Sequence, residues 1–185
     1  MYDILYNADN LFRNGTQFRP GLEGLKLYSQ IHGNNTNQII HALGMPVVAY
    51  AIFGLSNLHL NTASSILIYL FYFFYYASFD IIGSFCSLLL FFPSLCSSMI
   101  EYYDFQHYYD LKYNTFIYDN KKLKMTKYYI KMFLLSVVIQ EFVGHFIYEK
   151  INSDLFQLPN SITQAPLFAT RALLHNLFNL PLIPN

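Results

Sequence analysis

Ser65-Ile66-Leu67-Ile68-Tyr69-Leu70-Phe71-Tyr72-Phe73-Phe74-Tyr75-Tyr76 runs without a charge towards Asp80, the only Asp, Glu, Lys or Arg between Ile39 and Ile100. One membrane crossing needs ~20 apolar residues, so an uncharged stretch of that length holds several. The rest of the chain agrees. Of 185 residues, 54% are hydrophobic and 12% charged, with a formal net charge of zero. A soluble domain carries about twice that charged fraction. Backbone polar groups in hydrocarbon must be satisfied within the segment, which favours helices. The expected fold is all-α: a polytopic membrane helical bundle in one domain over 1–185, with about four spans plus a C-terminal membrane or interfacial helix. A neutral chain gives no electrostatic case for nucleic acid.

Working outward, Ile39–Leu58 reads as the first span, interrupted near its start by Gly44 and Pro46, and Asn57–Asn61 as a polar turn. Ala63–Phe79 and Ile81–Ile100 follow as two spans hinged at Asp80 and Gly83. The Tyr-, Asp- and Lys-rich residues 101–131 read as an extramembrane loop whose tyrosines suit the headgroup region. Tyr128–Tyr148 is the fourth span, and Ser161–Leu180, broken at Pro166 and Pro181, spans or lies in the interface. Residues 1–27 form a polar lead without the apolar core of a signal peptide. Cys86 and Cys96 both fall in a span, where inert buried thiols are expected. The lysines do not settle the membrane orientation, and nothing in the sequence sets the oligomeric state.

Two stretches can do chemistry. Glu141, His145 and Glu149 recur every four residues, so they lie on one helix face, with Gly144 allowing another backbone to approach. Ionisable groups are expensive inside a membrane and mark functional sites by default. A polar clamp between helices would need only one of them. His32 and His41 lie nine residues apart and meet only if the helix is broken between them. Gly33-Asn34-Asn35-Thr36 is such a break, with Asn35 or Thr36 as the N-cap, leaving Asn37 and His41 on one face. Three crossings before the 101–131 loop return His145 to the end that holds His32 and His41. A three-histidine metal site (His32, His41, His145) then becomes available, and imidazole with nearby carboxylate suits Fe or Zn. Glu149 would be a fourth ligand or accept a hydrogen bond from a ligand's free N–H. His59, His107 and His175 read as turn or interfacial residues.

These residues resemble the motifs of the yeast-type 2-hydroxy fatty acid dioxygenase family, small membrane proteins of the endoplasmic reticulum. That family shows Tyr, then His-x-Asn-Pro-x-Asn, three residues and His, then Gly and Pro. Here the positions are Tyr28, His32, Asn34, Asn35, Asn37, His41, Gly44 and Pro46. Its Gln-Phe-x-Gly-His-x-x-Phe-Glu-Lys is met by Phe142, Gly144, His145, Tyr148, Glu149 and Lys150, and its Ala-Pro-x-Phe by Ala165, Pro166 and Phe168. The resemblance covers about Tyr28–Leu60 and Val137–Ala172. It implies an Fe(II)-dependent dioxygenase without an organic cosubstrate. Such an enzyme converts a long-chain 2-hydroxy acyl substrate and O2 to CO2 and a fatty acid one carbon shorter, in α-oxidation and phytosphingosine breakdown. The implied metal ligands are His32, His41 and His145, with Glu149 catalytic and Asn37, Glu141 and Glu149 around the metal or substrate.

The chain departs from the pattern at Asn35 for proline, Glu141 for glutamine, Ser153-Asp154 for Pro-Ala, and Ala172 where a glutamate is usual. Two other readings follow. One is a catalytically silent homologue acting as a membrane interaction protein. The other is a small proton-coupled transporter using Glu141, His145 and Glu149 as a relay.

Overall fold

The computed structural model describes residues 19–30, 32–109, 115–149 and 158–184. Most of the polar lead lies outside that set, as do Lys150, Ser153 and Asp154. Among the described residues there are six helices and no strand: α1 Gly21–Gln30, α2 Asn35–His59, α3 Thr62–Ala77, α4 Ile81–Tyr109, α5 Thr115–Val138 and α6 Leu158–Phe178. A π-helical segment, Ile139–Glu149, continues α5. Helix α2 is central, packing on α4, α5, α6 and the π segment. Three helical stretches are long and apolar enough to cross a bilayer: Asn35–His59, Ile81–Tyr108 and Ile117–Glu149. The second expected span, α3, is a shorter apolar helix of 16 residues. The lipid-facing side carries large exposed apolar residues such as Leu67, Phe71, Leu89 and Phe142.

Several expectations change in detail. The N-cap of α2 is Asn34, not Asn35 or Thr36: its backbone is extended and its side-chain oxygen accepts from the Thr36 and Asn37 amides at 2.8 and 3.4 Å. Asn57 is no turn residue but a fully buried group inside α2, donating to Ser98 Oγ at 3.1 Å. The turn is Leu60–Asn61, and Asn61 caps α3 by accepting from Ser64 N at 2.8 Å.

Residues 101–131 are not mainly a loop. Helix α4 has 29 residues, so at 1.5 Å per residue it is about 43 Å long, well beyond ~30 Å of hydrocarbon. Together with α5 it carries helical structure past the apolar run. Phe105 and Tyr129 are buried there, with Tyr102, Tyr118 and Met125 packed around them, while Lys121, Lys124, Lys127 and Lys131 are exposed. That satellite core is why both helices continue.

The prolines do not break their helices. Pro166 lacks the N–H that would bond the Ile162 carbonyl four residues earlier. Tyr72 Oη donates to that carbonyl at 2.9 Å instead, and Tyr76 Oη donates to Thr163 O at 2.8 Å. Around Pro46, Ser136 donates to Gly44 O at 2.9 Å and Ser94 to Pro46 O at 2.8 Å. At Pro166 a neighbouring tyrosine thus meets the carbonyl that proline frees, and at Pro46 neighbouring serines bond carbonyls beside the break.

Asp80, expected as a hinge, caps α4 by accepting from Gly83 N at 2.9 Å. Its carboxylate also takes a two-pronged contact from Arg171 of α6, with Nε to Oδ2 at 2.6 Å and Nη2 to Oδ1. Both side chains are almost fully buried. Removing one partner of such a pair leaves an uncompensated charge, at a cost of about 3–5 kcal/mol. Asp80→Asn and Arg171→Met are each expected to lower the thermal midpoint in detergent strongly. The double variant Asp80→Leu/Arg171→Met should recover much of the loss, and single-variant midpoints equal to wild type would show that the pair does not hold α6.

Candidate metal centre

The up-and-down order of α2 to α5 brings the start of α2 and the end of the π segment to the same end of the bundle. Helices α1 and α6 pack across that end. His32 follows α1, His41 lies in the early turns of α2, and His145 lies on the π segment. Their imidazole centroids are 4.7 Å (His32–His41), 4.6 Å (His32–His145) and 5.4 Å (His41–His145) apart. All three are 4% exposed or less. One ring nitrogen from each lies within 4.8 Å of the others. Two imidazoles on one ion, each ~2 Å from it, sit at most about 4 Å apart, so the set is slightly more open than a bound metal would hold it.

Hydrogen bonds aim two of the rings. His32 Nδ1 lies 2.7 Å from Tyr28 O, and a carbonyl only accepts, so Nδ1 carries the proton. Nε2 is then a lone pair, buried and without a hydrogen-bond partner. His145 Nδ1 faces Glu149 Oε2 at 2.8 Å, which likewise turns Nε2 away from the carboxylate. A ligand imidazole donating its far N–H to a carbonyl or carboxylate is the usual support of a metal site. Neither nitrogen of His41 has a hydrogen-bond partner. Burial, then the neighbouring His41 and His145 imidazoles, hold His32 well below its ordinary pKa. The neutral ring is the form that binds a metal. Three buried imidazoles, with unpartnered nitrogens on His32 and His41, fit a transition metal, and the donor set alone does not choose among Fe, Zn, Cu and Ni.

The surroundings hold this arrangement. Tyr28 stacks on His32 with centroids 4.0 Å apart, and Phe168 of the Ala-Pro-x-Phe motif packs on both rings. Glu149 Oε1 accepts from Asn34 N at 3.4 Å, joining the π segment to the cap of α2. Gly144 makes room for Asn37: a Cβ at 144 would overlap the Asn37 amide oxygen. Asn37 is fully buried, and neither atom of its amide has a partner. Ala172, at the place of the family's usual glutamate, is buried in the apolar core.

Two residues of the site were not expected. Gln38 donates to His32 O at 3.0 Å and accepts from Asn176 at 3.2 Å, tying the His32 turn to α6. Gln140 packs against Gly44, and its amide nitrogen bonds Ser136 Oγ at 3.1 Å. Both are amides within apolar runs, which was the signal available. His59, His107 and His175 lie elsewhere, against Thr126, Tyr103 and Leu180 respectively.

A cavity of about 190 Å³ begins at His41 and Tyr28 and runs among apolar side chains of α2, α3, α4 and α5, including Val48, Phe53, Tyr69, Phe91 and Val137. Helices α3 and α5 flank it with little packing between them. Glu141 does not join the His145–Glu149 pair but lines this cavity.

No curated protein and no solved structure matches this chain. A family model described as 2-hydroxy-palmitic acid dioxygenase Mpo1-like matches residues 19–177, the stretch that contains all three imidazoles and the cavity. The chain belongs to the Mpo1-like family.

Proposed function

We propose that this chain is an Fe(II)-dependent dioxygenase that shortens long-chain 2-hydroxy fatty acids by one carbon within the endoplasmic reticulum membrane. One observation carries the reading: three buried imidazoles converge, and one of them, His41, lines an apolar cavity. The family description, a 2-hydroxy-palmitic acid dioxygenase, supports the substrate class. The conversion balances without a further reductant: one 2-hydroxy acid and one O2 give the shortened acid, CO2 and water. Ferrous iron, when bound, supplies the activation of O2, chemistry that belongs to the metal rather than the protein.

The chain's own residues do the rest. His32, His41 and His145 hold the ion through ring nitrogens, with the Tyr28 carbonyl and the Glu149 carboxylate orienting two of the rings. The cavity receives the acyl tail between α3 and α5, from the lipid side. Helices α1 and α6 cover the imidazoles and keep bulk water off the reacting end. The endoplasmic reticulum and a role in breaking down the 2-hydroxy acid from phytosphingosine rest on the resemblance of the motifs.

Iron measured on the detergent-purified chain should be stoichiometric. It should be lost in His32→Ala, His41→Ala and His145→Ala, and kept in His59→Ala, His107→Ala and His175→Ala. Glu149→Gln should weaken binding by about 10–100-fold. Gly144→Leu, which pushes on Asn37 without removing a ligand, should also lower iron content. Equal iron in all variants would count against a site at the imidazoles.

Given Fe(II), O2 and 2-hydroxypalmitic acid, membranes containing wild type should release CO2 and pentadecanoic acid, and those with His145→Ala only background. A wild type that holds iron yet forms no product would leave a catalytically silent membrane homologue.

A further inference from the structure

The cavity wall carries one acid. Tyr69, Tyr72 and Tyr76 also line it, but each hydroxyl is donated to a backbone carbonyl, at 2.6, 2.9 and 2.8 Å. Ser87 is likewise engaged, by Thr170 at 2.9 Å. Glu141 differs: its Oε2 is buried and has no hydrogen-bond partner. Leaving a buried acceptor unmet is costly, and more so for a carboxylate. It lies at the imidazole end, adjacent in sequence to Gln140 and on the same cavity as His41. A group entering that end with an O–H to donate would satisfy it.

Resting on the dioxygenase reading, we infer that Glu141 recognises the 2-hydroxyl of the acyl substrate, accepting its proton in a hydrogen bond at the head of the cavity. Glu141 is thus a positioning residue that selects hydroxylated over unsubstituted chains. It also sets which substituent faces it, because the Glu141 carboxylate repels the acid group and attracts the alcohol. The apolar side chains of the wall contact a hydroxylated and a plain chain alike, and His41 is assigned to the metal, so the discrimination lies at this one oxygen. A hydrogen bond to a charged acceptor corresponds to roughly 10–100-fold in affinity, and a site built around a hydroxyl penalises the analogue lacking it.

The test measures binding rather than turnover. Full-length protein in lipid nanodiscs is titrated with 2-hydroxypalmitate, 2-methoxypalmitate and palmitate, as purified and after treatment with a chelator. Wild type should bind the hydroxy acid about 10-fold or more tighter than either analogue in both conditions. Glu141→Leu should bring the three affinities together. Should that variant not fold, Glu141→Gln is read by the same ratio, which should fall at least about threefold, since an amide is a weaker acceptor than a carboxylate. Discrimination confined to the as-purified protein would assign the hydroxyl to a metal and overturn the inference, as would a ratio unchanged by the substitution. Because no product is measured, an inactive chain that still discriminates through Glu141 would refute only the dioxygenase reading. An active one that discriminates without Glu141 would refute only this inference.

Discussion

Three imidazoles buried within a few ångströms of one another cannot all carry protons, and buried polar nitrogens without partners are costly. The rest of the architecture follows from meeting that constraint. His32 comes from a turn, His41 from the head of one long helix and His145 from the tail of another, so no local element could assemble them. Their approach needs the even number of crossings between α2 and the π segment, and the cover that α1 and α6 provide. Two rings are held by acceptors on their outer nitrogens, the Tyr28 carbonyl and the Glu149 carboxylate, which turns the inner nitrogens away from those acceptors. Each support is local in sequence. The convergence is not.

The same logic governs the backbone around the site. A helix laid across the end of a bundle must find partners for its polar groups and its charge. Pro166 frees a carbonyl that Tyr72 then takes up, and Arg171 brings its charge to Asp80, the one carboxylate between Ile39 and Ile100. Small residues do complementary work. At Gly44 and Gly144 a Cβ would run into Gln140 and Asn37 respectively, so amides occupy the spaces that side chains vacate. Close packing of amides against glycine is how polar groups reach the interior without widening the bundle.

Much of this was legible in the sequence. The uncharged run from Ile39 to Ile100, with its lone Asp80, dictates membrane helices, and the parity of crossings brings His145 back to His41. The motif residues from Tyr28 to Pro46 and from Phe142 to Glu149 mark the site. What was hidden is long-range or depends on helix type. Periodicity says nothing of which arginine meets Asp80, though two isolated opposite charges in apolar surroundings are a hint. The Tyr- and Lys-rich residues after Ile100 looked like a loop because their composition is polar, yet Phe105 and Tyr129 pair the two helices beyond the apolar run. Spacing of four put Glu141 on one face with His145 and Glu149; that spacing does pair His145 with Glu149, whereas Glu141 lines the cavity.

That change of helix type sets the azimuth of His145. Within Ile139–Glu149 each backbone hydrogen bond spans one more residue than in an α-helix. An α-helix of the same sequence would be equally apolar and equally able to insert. Each residue would then turn by the α-helical angle of about 100° rather than the smaller angle of the wider π form, moving the imidazole round the helix. Insertion into the bilayer and assembly of the histidine cluster therefore depend on different properties of the same eleven residues: composition for the first, helix type for the second.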